Sequence, residues 1–423
     1  MTRRAAPSPK SASTPSNLRT GQAPARRTAP TRLLELHIER VATGGACIAT
    51  APDGRVVFVR HTLPGERVRA KVTETTKRFL RADAVEVLEA SPDRVVAPCR
   101  YAKPGRCGGC DFQHVALPAQ RRMKAEATRD QLVRLGGVDP AVLADLEVEE
   151  LPAVVDGQPD ENLARGLHWR TRVQVAVRPD GRTGLHRYRS HAVEPVDNCP
   201  ITIPEIEAAG AFRTPRPGRQ RVEFAAVPGR PGVAVDGDRE LVHTALGRQF
   251  RVSGGGFWQV HPAAAEVLSA AVLEAVAAQP GEQALDLYAG VGLFSAALAQ
   301  AGCTVTAVES FVVAAEDARH NLADLPVTVV AGDVAEQVGT LAASADVVVL
   351  DPPRTGAGAE TMAALLAGSP RVVAYVSCDP ATLARDLRTA REHGYRLRSL
   401  RAFDLFPMTA HVECLAVLEP DPS

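Results

Sequence analysis

The cysteine Cys378 follows an apolar run at residues 372–376 and precedes a helix-like segment at residues 381–393. This pattern predicts a thiol at the C-terminal end of a buried strand, and in open α/β sheets that edge is where ligands bind. A free cysteine is most often a buried apolar side chain, so the thiol alone does not establish a function. An accessible and partly ionised thiolate is a strong nucleophile, and covalent catalysis is the chemistry that this position would allow.

Further polar residues fall after neighbouring predicted strands. A turn with the spacing Gly-x-Gly, at residues 286–292, opens a helix, and its glycines let the backbone approach a ligand closely. Glu309 ends the next strand, where a carboxylate can accept hydrogen bonds from a ribose. Asp333 follows the third strand, within reach of an adenine amino group, and two prolines fix the backbone after Asp351. These features predict a nucleoside cofactor but do not separate NAD from S-adenosylmethionine.

A second group of candidate ligands consists of cysteines. Cys99, Cys107 and Cys110 fall within twelve residues, and Cys199 is a fourth candidate. Two glycines between Cys107 and Cys110 let the backbone wrap around a bound centre. Four cysteine sulfurs suit zinc or a 4Fe–4S cluster, and their spacing does not choose between the two. A loop of buried thiols without a metal is the remaining alternative.

Composition and charge narrow the class of protein. The chain of 423 residues carries 49 basic and 49 acidic residues, so its net charge does not point to a partner. Residues 1–30 contain six basic residues and no carboxylate, and this composition predicts a disordered basic tail. No apolar run has the length of about 18 residues that a membrane helix needs, and the N-terminus lacks a signal-peptide core. We therefore expect a cytoplasmic protein with reduced cysteines.

The remaining chain divides into three parts. Short strands between turn signals at residues 31–94 predict a small OB-like β-barrel. Its basic residues Lys71, Lys77, Arg78 and Arg81 suit the phosphate backbone of an oligonucleotide. Residues 95–255, which hold the cysteines, predict a small β-rich central domain. We expect its charged helix, at residues 115–135, to pack on the catalytic domain, and we predict a loop at residues 214–230. From residue 256 to 423, strands alternate with helices and predict a Rossmann-like α/β domain with a seven-stranded, doubly wound sheet.

A predicted hairpin in the central domain combines cationic and aromatic side chains. They are Arg165, His168, Trp169, Arg170, Arg172, Arg187, Tyr188 and Arg189. Arginines suit phosphates and aromatic rings suit unstacked bases, so this composition predicts a surface that faces single-stranded RNA.

The order of the C-terminal motifs resembles that of the RNA uracil-C5 methyltransferase family. The matching segments are Phe-Trp-Gln-Val at 257–260, the turn at 288–292, Glu309, Asp-Pro-Pro-Arg at 351–354, Ser-Cys-Asp-Pro at 377–380 and His-Val-Glu-Cys at 411–414. Residues 31–94 resemble the TRAM domain, an RNA-binding module. The matching segments there are Gly-Gly at 44–45, Val-Phe-Val at 57–59, Leu-Pro-Gly-Glu at 63–66 and Ser-Pro-Asp-Arg-Val at 91–95. The resemblance covers nearly the whole chain after the tail.

The resemblance implies roles for individual residues. S-adenosylmethionine would be contacted by Gln259, Tyr288, Glu309 and Asp351. Cys378 would be the nucleophile and Glu413 the base. Members with this cysteine arrangement hold a 4Fe–4S cluster, which the resemblance favours over zinc at Cys99, Cys107, Cys110 and Cys199. Leu293 departs from the pattern, because some members have a polar residue there beside the cofactor.

The chemistry of uracil explains these residue types. Carbon C5 is a poor nucleophile until a thiolate adds at C6 and converts the ring to an enolate. A base must then remove the C5 proton, and the target nucleotide must leave its stack. We therefore predict methylation at C5 of a uridine in rRNA or tRNA by a monomer without an obligate protein partner. The alternatives are an RNA cytosine-C5 methyltransferase, which typically has a second cysteine absent from residues 351–356, and a non-catalytic RNA-binding iron–sulfur protein.

Overall fold

The structure is a computed structural model that describes residues 32–422. The basic tail predicted for residues 1–30 lies outside the described residues. No helix in the described part of the chain is long and apolar enough to cross a membrane.

The first described part is a six-stranded sheet that closes on itself. Its strands are β1 (Leu33–His37), β2 (Arg40–Val41), β3 (Cys47–Thr50), β4 (Val56–Arg60), β5 (Arg67–Thr75) and β6 (Phe79–Glu89). The strand order is β1-β5-β6-β4-β3-β2. Between β1 and β2 the chain changes partner, because Ile38 N donates to Glu66 O at 2.9 Å and Glu39 N donates to Ile48 O at 2.8 Å. The sheet is therefore a small barrel, as the turn signals predict.

The central part holds one long helix and a second sheet. Its elements are α1 (Leu117–Gln131), β7 (Val148–Glu149), β8 (Val154–Val155), β9 (Gln158–Pro159), α2 (Glu161–Ala164), β10 (Arg172–Val177), β11 (Thr183–His186), β12 (Val193–Pro195), α3 (Pro204–Ala208), β13 (Arg221–Ala226), β14 (Val233–Val235), β15 (Leu241–Ala245) and β16 (Arg248–Val252). Helix α1 continues into a π-helical segment, Leu132–Gly136. Five strands form one sheet in the order β12-β11-β10-β13-β14.

Two predictions for the central part are wrong. Residues 214–230 are not only loop, since they contain β13, which pairs with both β10 and β14. Alternate residues of β13 are buried. This alternating pattern is short, and the prolines and glycines on either side of it favoured the prediction of a loop. Trp169 does not face RNA, because it is 3% exposed and packs edge-on against Phe406, with ring centroids 6.0 Å apart.

The C-terminal part is a doubly wound α/β sheet. Its elements are α4 (Ala264–Val276), β17 (Gln283–Leu287), α5 (Leu293–Gln300), β18 (Thr304–Glu309), α6 (Val312–Asn321), β19 (Val327–Ala331), α7 (Val334–Leu341), β20 (Val347–Leu350), α8 (Ala359–Ala367), β21 (Val372–Ser377), α9 (Pro380–Glu392), β22 (Tyr395–Phe403) and β23 (Glu413–Pro420). The strand order is β19-β18-β17-β20-β21-β23-β22-β7. Buried apolar side chains fill both faces of the sheet, as helices on two sides require.

The sheet has eight strands where seven were predicted. The seven strands from β17 to β23 come from the predicted region, and β7 from the central part adds an eighth by pairing in parallel with β22. Two residues are too short a run to stand out as a strand in the sequence. The central part thus contributes a strand to the C-terminal sheet. A second link is the buried ion pair between Lys124 Nζ on α1 and Asp404 Oδ1 after β22, at 2.6 Å.

Candidate active site

Cys378 and Glu413 meet at the end of two neighbouring strands. In the antiparallel register of β21 and β23, Ser377 pairs with Cys414. Cys378 directly follows Ser377 and Glu413 directly precedes Cys414, so the register sets the two side chains beside each other. Asp379 caps α9, accepting hydrogen bonds from Ala381 N at 2.9 Å and Thr382 N at 3.0 Å. This cap fixes the turn that carries Cys378.

The electrostatics of this pair favour neutral side chains. Burial raises the pKa of the Cys378 thiol to about 11; the nearby Glu413 carboxylate adds to this rise and Arg354 opposes it. Glu413 is 5% exposed, and burial, together with Asp351, raises the pKa of its carboxyl group well above the ordinary value. A cation bound at this edge would lower both pKa values and favour the ionised, reactive forms.

Two further carboxyl groups lie at the ends of adjacent parallel strands. Asp286 in β17 is fully buried; Ser295 Oγ donates to its Oδ2 at 2.5 Å, and its Oδ1 has no hydrogen-bond partner among residues 32–422. Burial raises the pKa of Asp286 to about 7. Burial and then the charge of Asp286 raise the pKa of Asp351 to about 7. A buried carboxyl oxygen without a partner, such as Asp286 Oδ1, is costly, so this part of the edge is suited to a positively charged ligand.

The glycine turn after β17 forms the floor of the same edge. Tyr288, Gly290 and Gly292 all have positive φ angles, of 62°, 56° and 94°. A Cβ atom on Gly292 would lie 2.5 Å from Leu322 Cδ1, whereas one on Gly290 would meet no described atom within 4 Å. Gly290 N donates to Glu309 Oε2 at 2.8 Å. The structure therefore brings the predicted cofactor residues Tyr288 and Glu309 together around an open backbone turn.

The other two predicted cofactor residues have different surroundings. Asp333 is exposed and caps α7, with its Oδ1 accepting a hydrogen bond from Ala335 N at 2.8 Å. Gln259 is buried and, with Trp258 and His243, lines a cavity of about 370 Å³ between α4 and the central part. Trp258 packs against the cluster that includes Leu293, directly after the glycine turn. None of residues 288–292 lines the cavity that holds Gln259, so the structure does not bring this predicted residue to the glycine turn.

The four predicted metal-ligating cysteines line a single cavity. Cys99, Cys107, Cys110 and Cys199 surround a space of about 20 Å³. Gly108 is held at this point because its N donates to His186 O at 3.0 Å, and a Cβ atom on it would lie 2.5 Å from Tyr188 N.

The mutual position of these thiols bears on what they can bind. Burial and the thiols of Cys199 and Cys99 raise the pKa of Cys107 to about 11, and burial raises that of Cys110 as well. Within residues 32–422, no group of three or more His, Cys, Asp or Glu side chains is placed to hold a metal ion. A tetrahedral zinc site brings its sulfurs within about 3.8 Å of each other, and a multi-iron cluster separates its cysteine sulfurs further.

Sequence reasoning assigned no role to Asp286. The available signal was a charged residue inside an apolar strand, since aspartate is almost never fully buried without a reason. It also missed the contacts that join residues 107–112 to the loop before Glu413, which connect segments far apart in the chain.

Comparisons with known proteins agree with this architecture. Family models match residues 31–85 as TRAM domain, residues 264–374 as methyltransferase small domain and residues 340–420 as tRNA (uracil-5-)-methyltransferase. An uncharacterized RNA methyltransferase of Streptomyces avermitilis is 47% identical, over 91% of this chain and 98% of the relative. A 23S rRNA (uracil(1939)-C(5))-methyltransferase of Halomonas elongata is 34% identical, over 92% of this chain and 90% of the relative. The chain belongs to the RNA uracil-C5 methyltransferase family.

A solved structure supports the fold of this RNA methyltransferase. The tRNA (uracil-54, C5)-methyltransferase of Pyrococcus abyssi, in complex with S-adenosyl-L-homocysteine, is 22% identical. It superimposes with a TM-score of 0.65 over 91% of this chain and 99% of that chain. This likeness confirms the prediction of a mixed α/β fold. The relatives confirm the prediction of an RNA methyltransferase, and the family model confirms the N-terminal TRAM domain.

Proposed function

We propose that this RNA methyltransferase transfers a methyl group from S-adenosylmethionine to C5 of a uridine, through a covalent bond between Cys378 and C6. The observation that carries this proposal is the β21–β23 register, which sets a thiol beside a buried carboxyl group at the ligand-binding edge of the sheet. The relative from Halomonas elongata acts on 23S rRNA by its name. We therefore propose ribosomal RNA as the substrate, with transfer RNA as the alternative.

The residues at this edge fit the methyl donor. S-adenosylmethionine supplies an electrophilic methyl group on a cationic sulfonium when it is bound. The open backbone at Gly290 leaves room for a ligand, and the unpartnered Asp286 Oδ1 and the nearby Asp351 suit positive charge. Glu309 would accept hydrogen bonds from the ribose and Asp333 from the adenine amino group, while Gln259 and Tyr288 would line the site.

Cys378 would start the reaction on the uracil ring. Its thiolate would add to C6, and the electron pair of the C5–C6 double bond would move to make an enolate. The enolate would take the methyl group at C5, and the electron pair of the broken S–CH3 bond would stay on the sulfur of the departing S-adenosylhomocysteine. The half-exposed thiol is accessible to a nucleotide that has left its stack. Arg354 lies close enough to lower the pKa of Cys378. Its positive charge would also stabilise the negative charge on the enolate oxygen.

Glu413 would complete the turnover. Its ionised carboxylate removes the C5 proton, the C5–C6 double bond re-forms, and the bond between Sγ and C6 breaks to release the thiolate. Burial makes the carboxylate more basic than one in water, which suits a group that must accept a carbon-bound proton.

The cysteine cavity is proposed as the site of a 4Fe–4S cluster held by Cys99, Cys107, Cys110 and Cys199. Four thiols in one cavity form a donor set that fits such a cluster, with zinc as the alternative. Burial and, after it, the neighbouring thiols raise the pKa of Cys107, and a cationic centre would favour its thiolate. The cluster would stabilise this part of the fold, and no step above depends on it.

A cleft between the barrel and the central sheet supports RNA binding. Phe58, Arg81, Tyr188 and Arg189 line a space of about 420 Å³. Arg60, beside them, is buried and paired with Asp111. The Arg60 guanidinium lies 3.5 Å from the centre of the Tyr188 ring. Cations for phosphates beside rings for bases are the composition that a single strand requires. This part of the predicted hairpin surface is thus retained in the proposal.

We also propose that the enzyme acts in the cytoplasm, and that it acts as a monomer because one chain supplies every residue in these roles.

The test of the proposed function is nucleoside mass spectrometry. Ribosomal and transfer RNA from cells with and without the gene are digested, and we expect one 5-methyluridine to disappear at a mapped position. Adding purified enzyme and S-adenosylmethionine to the unmodified RNA should restore it. An unchanged 5-methyluridine profile, or loss of 5-methylcytidine instead, would refute the proposal.

A further inference from the structure

The loop between β22 and β23 ends directly at Glu413 and contains a strained residue. Met408 has a φ angle of +69°, a conformation that a residue with a side chain rarely adopts. Such a conformation persists only where surrounding contacts hold it.

The cysteine loop supplies one set of these contacts. Asp111 N and Phe112 N donate to Met408 O at 3.1 and 2.9 Å, directly after Cys110. The Asp111 carboxylate accepts a hydrogen bond from Ala410 N at 3.2 Å. Asp111 therefore holds the base-bearing loop on both sides of Thr409.

Helix α1 holds the same residue from the other side. Gln120 Oε1 accepts a hydrogen bond from Met408 N at 2.8 Å, and Gln120 Nε2 donates to Phe112 O at 3.1 Å. Lys124 Nζ donates to Phe406 O at 3.0 Å. Gln120 is buried, so these bonds are protected from exchange with water.

The double-glycine turn of the barrel, Gly44 and Gly45, packs against the same loop. A Cβ atom on Gly45 would lie 2.4 Å from Asp111 Cβ and 3.2 Å from Ala410 Cβ. A Cβ atom on the neighbouring Gly44 would meet no described atom within 4 Å. Gly44 and Gly45 have nearly equal φ angles, of 80° and 79°, so an alanine would strain the backbone similarly at both positions. Only at Gly45 would its Cβ atom also collide with neighbouring side chains.

We propose that Asp111 is a positioning residue for Glu413: seated on Gly45, it fixes the Met408–Ala410 turn and thereby holds the base beside Cys378. This inference rests on the proposed function, since it assigns the base to Glu413. Asp111 does not touch the reacting atoms. Its displacement slows the step in which the C5 proton leaves and the thiolate is released, and leaves the earlier attack by Cys378 in place.

The test compares Gly45→Ala with Gly44→Ala, which carries similar backbone strain without the collision, and Asp111→Ala with Asp111→Asn. Each enzyme is incubated with unmodified substrate RNA and S-adenosylmethionine, and the covalent enzyme–RNA complex is quantified on denaturing gels beside kcat, KM and iron content. We expect Gly45→Ala and Asp111→Ala to lower kcat by about tenfold and to accumulate the covalent complex. Their kcat/KM for RNA should stay unchanged, because the slowed step follows the irreversible methyl transfer. Gly44→Ala should behave like the wild type. Asp111→Asn keeps an acceptor for Ala410 N but loses the ion pair between Arg60 Nη2 and Asp111 Oδ1, so we expect its kcat to lie between those of Asp111→Ala and the wild type.

The controls separate this inference from the proposed function. Glu413→Gln should accumulate the same complex; if neither it nor the wild type ever bonds covalently to RNA, the proposed function fails and the inference with it. If Glu413→Gln accumulates the complex but Gly45→Ala and Asp111→Ala do not, the positioning role of Asp111 is wrong and the proposed function stands. Accumulation only in variants that have lost iron also contradicts the positioning role.

Discussion

Cys378 and Glu413 stand beside each other because Ser377 pairs with Cys414 between β21 and β23. One follows the last residue of a strand, and the other is the first residue of its antiparallel neighbour. A nucleophile and a base placed in this way can act on adjacent carbon atoms of one ring.

The first prediction concerns the base. Glu413→Gln removes the group that accepts the C5 proton but keeps the shape of the side chain, so we expect kcat to fall by about 10²–10⁴-fold. Covalent enzyme–RNA complex should accumulate, because Cys378 still attacks. The measurement is single-turnover methylation with denaturing gels, and Glu419→Gln on the same strand is the control. A variant that turns over normally would remove Glu413 from this role.

The second prediction concerns the thiol of the free enzyme. Since burial and Glu413 raise the pKa of Cys378 to about 11, its rate of alkylation by iodoacetamide should rise about tenfold per pH unit from pH 7 to 9. Arg354→Gln removes a cation that lowers this pKa, so alkylation at pH 8 should slow further, whereas Arg385→Gln on α9 should have no effect. Peptide mass spectrometry follows Cys378 itself. An alkylation rate that levels off near pH 7 would show that the thiolate is already formed there, and would contradict a raised pKa of Cys378.

The third prediction concerns pH and the methyl donor. The pKa values of Asp286 and Asp351 are raised to about 7, so both carboxyl groups gain charge as the pH rises from 6 to 8. Negative charge attracts the sulfonium of S-adenosylmethionine but not the uncharged sulfur of S-adenosylhomocysteine. The ratio of the two affinities should therefore shift toward S-adenosylmethionine by about tenfold over this pH range. Calorimetric titration of both ligands measures the ratio. A ratio independent of pH would contradict the placement of the sulfonium near these groups, and Asp286→Asn should weaken the trend.

The fourth prediction concerns the cysteine cavity. Enzyme purified without oxygen should be brown and contain about four irons per chain. Cys110→Ser should lose the iron, whereas Cys303→Ser, which changes a buried cysteine in the catalytic part, should keep it. Iron analysis and the visible absorption spectrum provide the readout. Stoichiometric zinc without iron would favour the alternative metal.

Local patterns in the sequence were sufficient for much of the site. The alternation of strands and helices places the glycine turn, Glu309 and Cys378 at strand ends, because the period of apolar residues and the turn residues are local properties. The cysteine cavity could also be anticipated, since three of its four cysteines fall within twelve residues of the sequence.

The contacts that complete the site were not predictable in this way. The β21–β23 register, the two-residue strand β7 and the bonds from Asp111 to Met408 join segments far apart in the chain. They depend on how whole elements pack, and no local pattern encodes them. Trp169 shows the same limit, because its aromatic ring suits an RNA base and a hydrophobic core equally well, and only tertiary packing places it beside Phe406.

The most direct test of the central claim is to trap the nucleophile. RNA in which the target uridine is replaced by 5-fluorouridine is incubated with the enzyme and S-adenosylmethionine. Fluorine at C5 replaces the proton that a base would remove, so the thiolate cannot be released from C6. The account predicts a complex stable to denaturation, whose digestion gives a peptide with the methylated fluorouridine nucleotide on Cys378, and no such complex with Cys378→Ala. A complex formed through another residue, or methylation by Cys378→Ala, would contradict it.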